Sequence, residues 1–208
     1  MTSRTAPPAA AGTRMTAEAR REQLLDATKA LVDRSGFHAV SIEAVAREAG
    51  ITRPIVYGHF RDLPGLLEAL VDREGDRALA QLDELMPKDL ASGDPRELLL
   101  AAQEAYLRAA QADPATWRLV LMPPEGAPAI LRERIAEGRA QVVGQLAVAV
   151  QPLFPPGSGG HDPELTARML SALADEAVRL LLNDPERYPP DRLVAQTRWF
   201  LDRVIDPQ

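Results

Sequence analysis

The chain of 208 residues contains no cysteine, which excludes disulfide frameworks, cysteine-ligated zinc and thiol catalysis together and agrees with a reducing compartment. Histidine is scarce: His38, His59 and His161 form no metal-like pair on one helical face. Lysine occurs only at Lys29 and Lys88, so nearly all positive charge is guanidinium. No run approaches the ~18–20 uninterrupted apolar residues that cross a bilayer, and the opening MTSRTAPPAAAGTR lacks the apolar segment of a signal peptide. A cytoplasmic protein without a membrane partner is expected. There is no glycine-rich phosphate loop after a strand and no nucleophile elbow. Carboxylates are scattered among arginines, as in Arg132-Glu133-Arg134, in the manner of solvated helix faces. Neither an enzyme nor a cofactor is expected.

What is present is helix-forming sequence, 46% hydrophobic and able to bury a core. Residues 1–14, rich in Ala, Pro, Thr and Ser, are expected to be a disordered arm. Thr16 is a candidate cap for a helix through Arg34, with Leu24, Leu25, Thr28, Leu31 and Val32 as its inward stripe and Gly36 as its end. Asp62 opens a long helix to about Met86, which Pro87 stops. Asp94-Pro95 opens a helix to about Ala112, and Asp113-Pro114 a short one ended by Met122-Pro123-Pro124. Further helices run from Pro128 to about Val150, Pro163 to about Asn183 and Pro190 to Ile205. Lys88 to Asp94 reads as a linker, Glu125 to Ala127 as a loop and Pro155 to Gly160 as a flexible break.

The segment Ser41 to Phe60, SIEAVAREAGITRPIVYGHF, carries the most information. Ser41 can cap a first short helix, along which Ile42, Val45, Ala46 and Ala49 share one apolar face. Gly50 supplies a left-handed ending without steric cost. Thr52 can cap a second helix, with Pro54 in its first turn, where a missing N–H does no harm. Val56 and Phe60 anchor it inward, leaving Thr52, Arg53, Ile55, Tyr57, Gly58, His59 and Arg61 facing out. This is a helix-turn-helix pattern. A packed helical hairpin with no nucleic-acid role has the same spacing.

From about Thr16 to Leu70 the order of motifs resembles the DNA-binding domain of the tetracycline-repressor-like (TetR) family of bacterial regulators: an opening amphipathic helix ending in Ser35-Gly36-Phe37, the Ser41-initiated helix, the Gly50-Ile51-Thr52 turn, and Tyr57-x-His59-Phe60 followed by Leu66-Leu67. About nine helices and no convincing strand make this an all-α protein, and the resemblance implies its division. A three-helix head, residues 15–62, would bind double-stranded DNA at a palindromic operator, and a helical body, residues 63–208, would bind a small-molecule effector and dimerise. Ser41, Thr52, Tyr57, His59 and Arg61 are the candidates for backbone contacts. Arg53, Pro54, Ile55 and Gly58 are those for base edges, since arginine pairs bidentately with guanine and Ile55 offers apolar contact to a thymine methyl. The family often follows its signature with Ser/Asn-Lys, whose lysine grips phosphate; here Asp62-Leu63 stands there, so that contact is lost or moved to Arg61.

Net charge of −6 suits a phosphate-binding protein poorly, but residues 1–70 hold 9 Lys+Arg against 8 Asp+Glu and the remainder 15 against 22, which places the acidity in the body. The last two helices present Leu173, Ala177, Leu180 and Leu181, and Thr197, Phe200, Leu201 and Val204. These either complete a monomer core or, as the resemblance implies, form a four-helix homodimer interface. In the middle of the chain, Tyr106, Trp117, Leu121 and Met122 can line an apolar cavity, with Gln103, Glu104, Arg118 or Gln141 as polar anchors, or can be plain core. The resulting reading is a transcriptional regulator, a repressor released by a small apolar or amphipathic ligand. A ligand-independent DNA binder or a helical interaction protein are the alternatives.

Overall fold

The computed structural model describes residues 15–123, 127–153 and 162–205. Among them are nine α-helices, three short 3₁₀ turns and no strand. The helices are α1 (Ala17–Ser35), α2 (Ile42–Glu48), α3 (Arg53–Tyr57), α4 (Leu63–Leu85), α5 (Pro95–Ala112), α6 (Pro114–Leu121), α7 (Ala129–Val150), α8 (Pro163–Asn183) and α9 (Pro190–Ile205). Their starts follow local chemistry. Thr16, Ser41, Asp62, Asp94, Asp113 and Asp162 each accept a backbone N–H of the first turn, satisfying donors that a helix cannot satisfy internally. The expected arm, residues 1–14, and the break at 155–160 lie outside the described residues, as does most of the expected loop at 125–127.

Thr52 departs from expectation. It occupies the capping position of α3 but makes no side-chain cap bond. A cap serves the N–H of the second or third helical residue. The second is Pro54, which has none, and the N–H of the third, Ile55, goes to the Thr52 carbonyl at 3.0 Å. The hydroxyl therefore stays exposed. The Lys88–Asp94 segment is also no mere linker: it holds a 3₁₀ turn, Leu90–Ser92, whose Leu90 is fully buried against Val143, Leu146, Val150 and Ala167. One leucine among polar residues has no periodicity to announce it.

Gly50 joins α2 to α3 at φ +67°, and the Ile51 N–H donates back to the Ala46 carbonyl at 2.9 Å, a glycine-dependent helix ending. A Cβ added at Gly50 would meet no atom within 4 Å, so Gly50→Ala carries only the backbone penalty. A loss of about 1–2 kcal/mol in urea unfolding is expected.

One apolar cluster gathers α1, α2 and α3 around Leu24, Val45 and Val56 and continues without a break into Leu66, Leu70 and Val71 of α4, Leu119 of α6 and Leu131 of α7. A second cluster joins α5, α6, α8 and α9 around Leu107, Trp117, Val178 and Leu181. A buried polar joint ties α1 to both α4 and α6. Glu74, fully buried on α4, pairs with Lys29 of α1 at 2.9 Å, accepts from the Thr116 hydroxyl of α6 and pairs with Arg73 at 2.8 Å. Burial pushes the Glu74 carboxyl up most strongly, yet the hydrogen bonds from Thr116 and Lys29 and the charges of Lys29 and Arg73 outweigh it. The net result is a carboxyl held below its ordinary value.

Candidate functional site

The outer surface of α3 carries Arg53, Pro54, Ile55 and Tyr57, followed by Gly58, all exposed, while Val56 and Phe60 turn inward at 0% and 4% exposure. Two large apolar side chains stand out from so short a helix, Ile55 at 40% and Tyr57 at 49% exposure. Ser41 is tied up as the cap of α2, its hydroxyl accepting from Ala44 N–H at 3.1 Å, with its outer side partly exposed. His59 is half-buried rather than fully outward.

Arg53 is not a free base-reading group. Its guanidinium pairs at 2.9 Å with Glu43 on α2, both side chains 55% exposed. The segment 50–61 holds no acid, but its neighbour helix delivers one. An exposed ion pair of this kind is worth ~0–1 kcal/mol, so exchange for a guanine edge is inexpensive. Arg21 of α1 was absent from the sequence-derived set; its guanidinium lies 4.4 Å from the Phe60 ring centre and donates to the His59 carbonyl at 3.4 Å. Only the fold brings α1 to the end of α3, and no local motif signals it. Arg61 is 94% exposed, with only a loose ion pair to its neighbour Asp62 at 3.9 Å. Asp62 is occupied as the cap of α4, accepting from Gly65 N–H at 2.9 Å. Leu63, where the family often has its phosphate-gripping lysine, is packed on the head's core.

In the body, a cavity of about 310 Å³ opens between α4, α5, α7, α8 and α9, within the range of small-molecule sites. Leu82, Leu99, Leu146, Leu170 and Leu193 form much of its wall, with Gln103 and Tyr106 on the α5 side. A lesser cavity of about 60 Å³ shares Tyr106, Val142 and Asp175 with it and reaches Trp117 and Leu121. The sequence-derived ligand set therefore divides. Gln103 and Tyr106 face the main cavity, and Trp117 and Leu121 the lesser one. Arg118 and Met122 instead border a separate cleft against α1, where Arg118 pairs with Asp33 at 3.2 Å. Glu104 and Gln141 point to solvent. Side chains of α6 follow the head–body boundary, whereas α8 and α9 supply much of the main cavity's wall.

That wall includes most of the residues expected at the dimer interface. Leu173, Ala177, Leu180, Thr197, Phe200 and Leu201 all line the main cavity, and Ala177, Leu181 and Leu201 are buried within the chain itself; the Val204 side chain lies outside the described residues. The apolar groups that do stand out on the last two helices are Leu165, Met169 and Leu173 on α8 and Trp199 on α9. Sequence period alone does not say which part of a helix's apolar face closes on the chain's own core and which stays exposed.

Tyr106 and Trp117 meet edge to face with ring centres 4.8 Å apart. The Tyr106 hydroxyl donates to Asp175 at 3.2 Å. Burial raises the Asp175 carboxyl above its ordinary value, and Arg139 and Arg179 offset part of that rise.

Comparison with known proteins places this geometry. Residues 24–70 match the family model described as "Bacterial regulatory proteins, tetR family". The chain is similar to the HTH-type transcriptional activator FasR of Mycolicibacterium smegmatis, 28% identical over 199 residues, covering 91% of this chain and 84% of that protein. It is 36% identical over 104 residues to the HTH-type transcriptional regulator BetI of Yersinia pestis, covering 47% of this chain and half of that protein's length. The crystal structure of FadR from Bacillus subtilis, in complex with stearoyl-CoA, has the same fold: TM-score 0.66 at 18% identity, covering 90% of this chain and 98% of that one.

Proposed function

Because the chain belongs to the TetR family of bacterial transcriptional regulators, and is thus a DNA-binding regulator with a helix-turn-helix head, we propose that it works as a homodimeric repressor in the cytoplasm, bound to a palindromic operator and released by a small apolar or amphipathic ligand held in its body. The observation that carries the DNA half is the exposed α3 face of Arg53, Ile55 and Tyr57 beside the exposed guanidiniums of Arg21 and Arg61. Arg53, Pro54, Ile55 and Gly58 read base edges; Ser41, Thr52, Tyr57, His59, Arg61 and Arg21 hold the backbone. Two such heads related by a two-fold axis read two half-sites about one helical turn apart.

The body acts by linkage. A ligand that prefers a body conformation with misspaced heads weakens operator binding by its differential affinity. The joint of Lys29, Glu74 and Thr116 is the contact through which α4 and α6 move α1. The body is a sensor and not an enzyme on this reading, so a bound compound is recovered unchanged. FasR is named an activator; the sign of regulation depends on where the operator lies, and deletion of the gene is expected to raise transcription from the promoter it occupies.

Selection of bound DNA from a random pool tests the reading, with a palindrome as the expected product and no enrichment as the result that overturns it. On the selected operator, Arg53→Ala should relax preference at one base pair by about 1–3 kcal/mol, while Tyr57→Phe weakens all sequences alike. Equal losses for Arg53→Ala on specific and random DNA in a binding titration would remove it from the base-reading set.

A further inference from the structure

The polar groups around the two cavities narrow the ligand's chemistry, on the premise that the body is the sensor proposed above. Gln103, 94% buried by its 6% exposure, lines the main cavity and its side-chain nitrogen has no hydrogen-bond partner. Trp117, fully buried, lines the lesser cavity and its indole N–H likewise has none. Tyr106 stands between them and lines both. An unpaired buried donor is costly, and two beside adjoining apolar cavities await acceptors.

The charges point the same way. Among the described residues, no lysine, arginine or histidine lines the main cavity, and the two arginines of the lesser one are already paired, Arg134 with Asp72 at 2.9 Å and Arg139 with Asp175 at 3.4 Å, so an anionic headgroup would lack a free counter-charge. The main cavity's acids are Asp175 and Glu176. Asp175 receives the Tyr106 hydroxyl at 3.2 Å and faces Arg139 at 3.4 Å and Arg179 at 3.9 Å, and Glu176 pairs with Arg179 at 3.4 Å. A cationic ligand would have to compete with arginines for both. Burying either sign of charge without a partner is strongly unfavourable.

We infer that the effector is an uncharged, mainly apolar molecule bearing an oxygen acceptor such as a carbonyl or ester, which the Gln103 carboxamide anchors. Trp117 supplies a second donor to a ligand long enough to reach the lesser cavity.

Four probes of equal chain length test this by titration calorimetry on the full chain: methyl octanoate, octanoate, octylammonium and octane. Methyl octanoate should bind at least ~10-fold more tightly than each charged probe. Gln103→Leu, which keeps the volume and removes the donor, should cost the ester ~10-fold and leave octane unchanged. Octanoate or octylammonium binding as tightly as the ester would overturn the inferred class while leaving a sensor in place. Octane matching the ester, or an ester affinity indifferent to Gln103→Leu, would overturn the anchor. Failure of all four to bind would overturn this inference, whereas the sensor reading falls only if no apolar or amphipathic compound releases the chain from its selected operator.

Discussion

Glu74→Ala is expected to lower the free energy of unfolding by about 3–5 kcal/mol, because it strands Lys29 and Arg73 without the buried carboxylate they share. Lys29 is 14% exposed and Arg73 10%. Lys29 keeps Asp113 at 2.8 Å, and Arg73 keeps Glu22 and Asp26 at 2.9 Å, which sets the lower end of that range. Urea denaturation at neutral pH measures it. The pH dependence has a definite sign. Since the Glu74 carboxyl lies below its ordinary value of 4.5 in the folded chain, its stabilisation is complete above that value and is lost as pH falls through the lower folded value. The gap in stability between the native chain and Glu74→Gln should therefore narrow as pH drops below about 4.5. A gap constant across that interval would mean that the carboxylate's charge is not what holds α1 to α4 and α6. The same substitution should uncouple ligand from operator, since it removes the joint between body and head.

Met169→Glu should convert a dimer to monomers. Met169 is 59% exposed and stands one helical turn from Leu165 and from Leu173 on α8, the apolar stripe that the chain's own core leaves uncovered. A carboxylate at the centre of a two-fold interface is buried twice, and a penalty of about 2 kcal/mol or more per copy raises the dimer dissociation constant by about a thousandfold. Light scattering reads the assembly, and operator affinity should fall with it. Dimers persisting in Met169→Glu would locate the interface on another surface. Leu180 and Phe200 are poorer choices for this test, because both line the ligand cavity and a charge there would disturb sensing and assembly together.

Most of the fold was legible because its signals are local. The aspartate-proline pairs at Asp94-Pro95 and Asp113-Pro114 start α5 and α6 where their capping chemistry requires. The inward stripe of α1 and the left-handed Gly50 follow from period and from φ. The candidate site was legible only in part. That α3 would present Arg53, Ile55 and Tyr57 was readable from the inward spacing of Val56 and Phe60. That Arg53 would rest against Glu43 and Arg21 over Phe60 was not, because each pair spans two helices and depends on how they cross.

Within the body the gap is wider. Periodicity finds the apolar faces of α8 and α9 but leaves their destinations open, and within the chain several of those residues, among them Ala177, Leu180 and Phe200, line the cavity. Sequence by itself determined which segments are helical, where they begin and end, and that α3 turns Arg53, Ile55 and Tyr57 outward, since capping, proline and 3.6-residue spacing act over a few neighbouring residues. Only the tertiary structure decided which apolar sector of each helix closes on the chain itself and which stays open, and that Glu74 would be buried at a joint with Lys29 and Thr116. Those outcomes depend on packing between residues tens of positions apart.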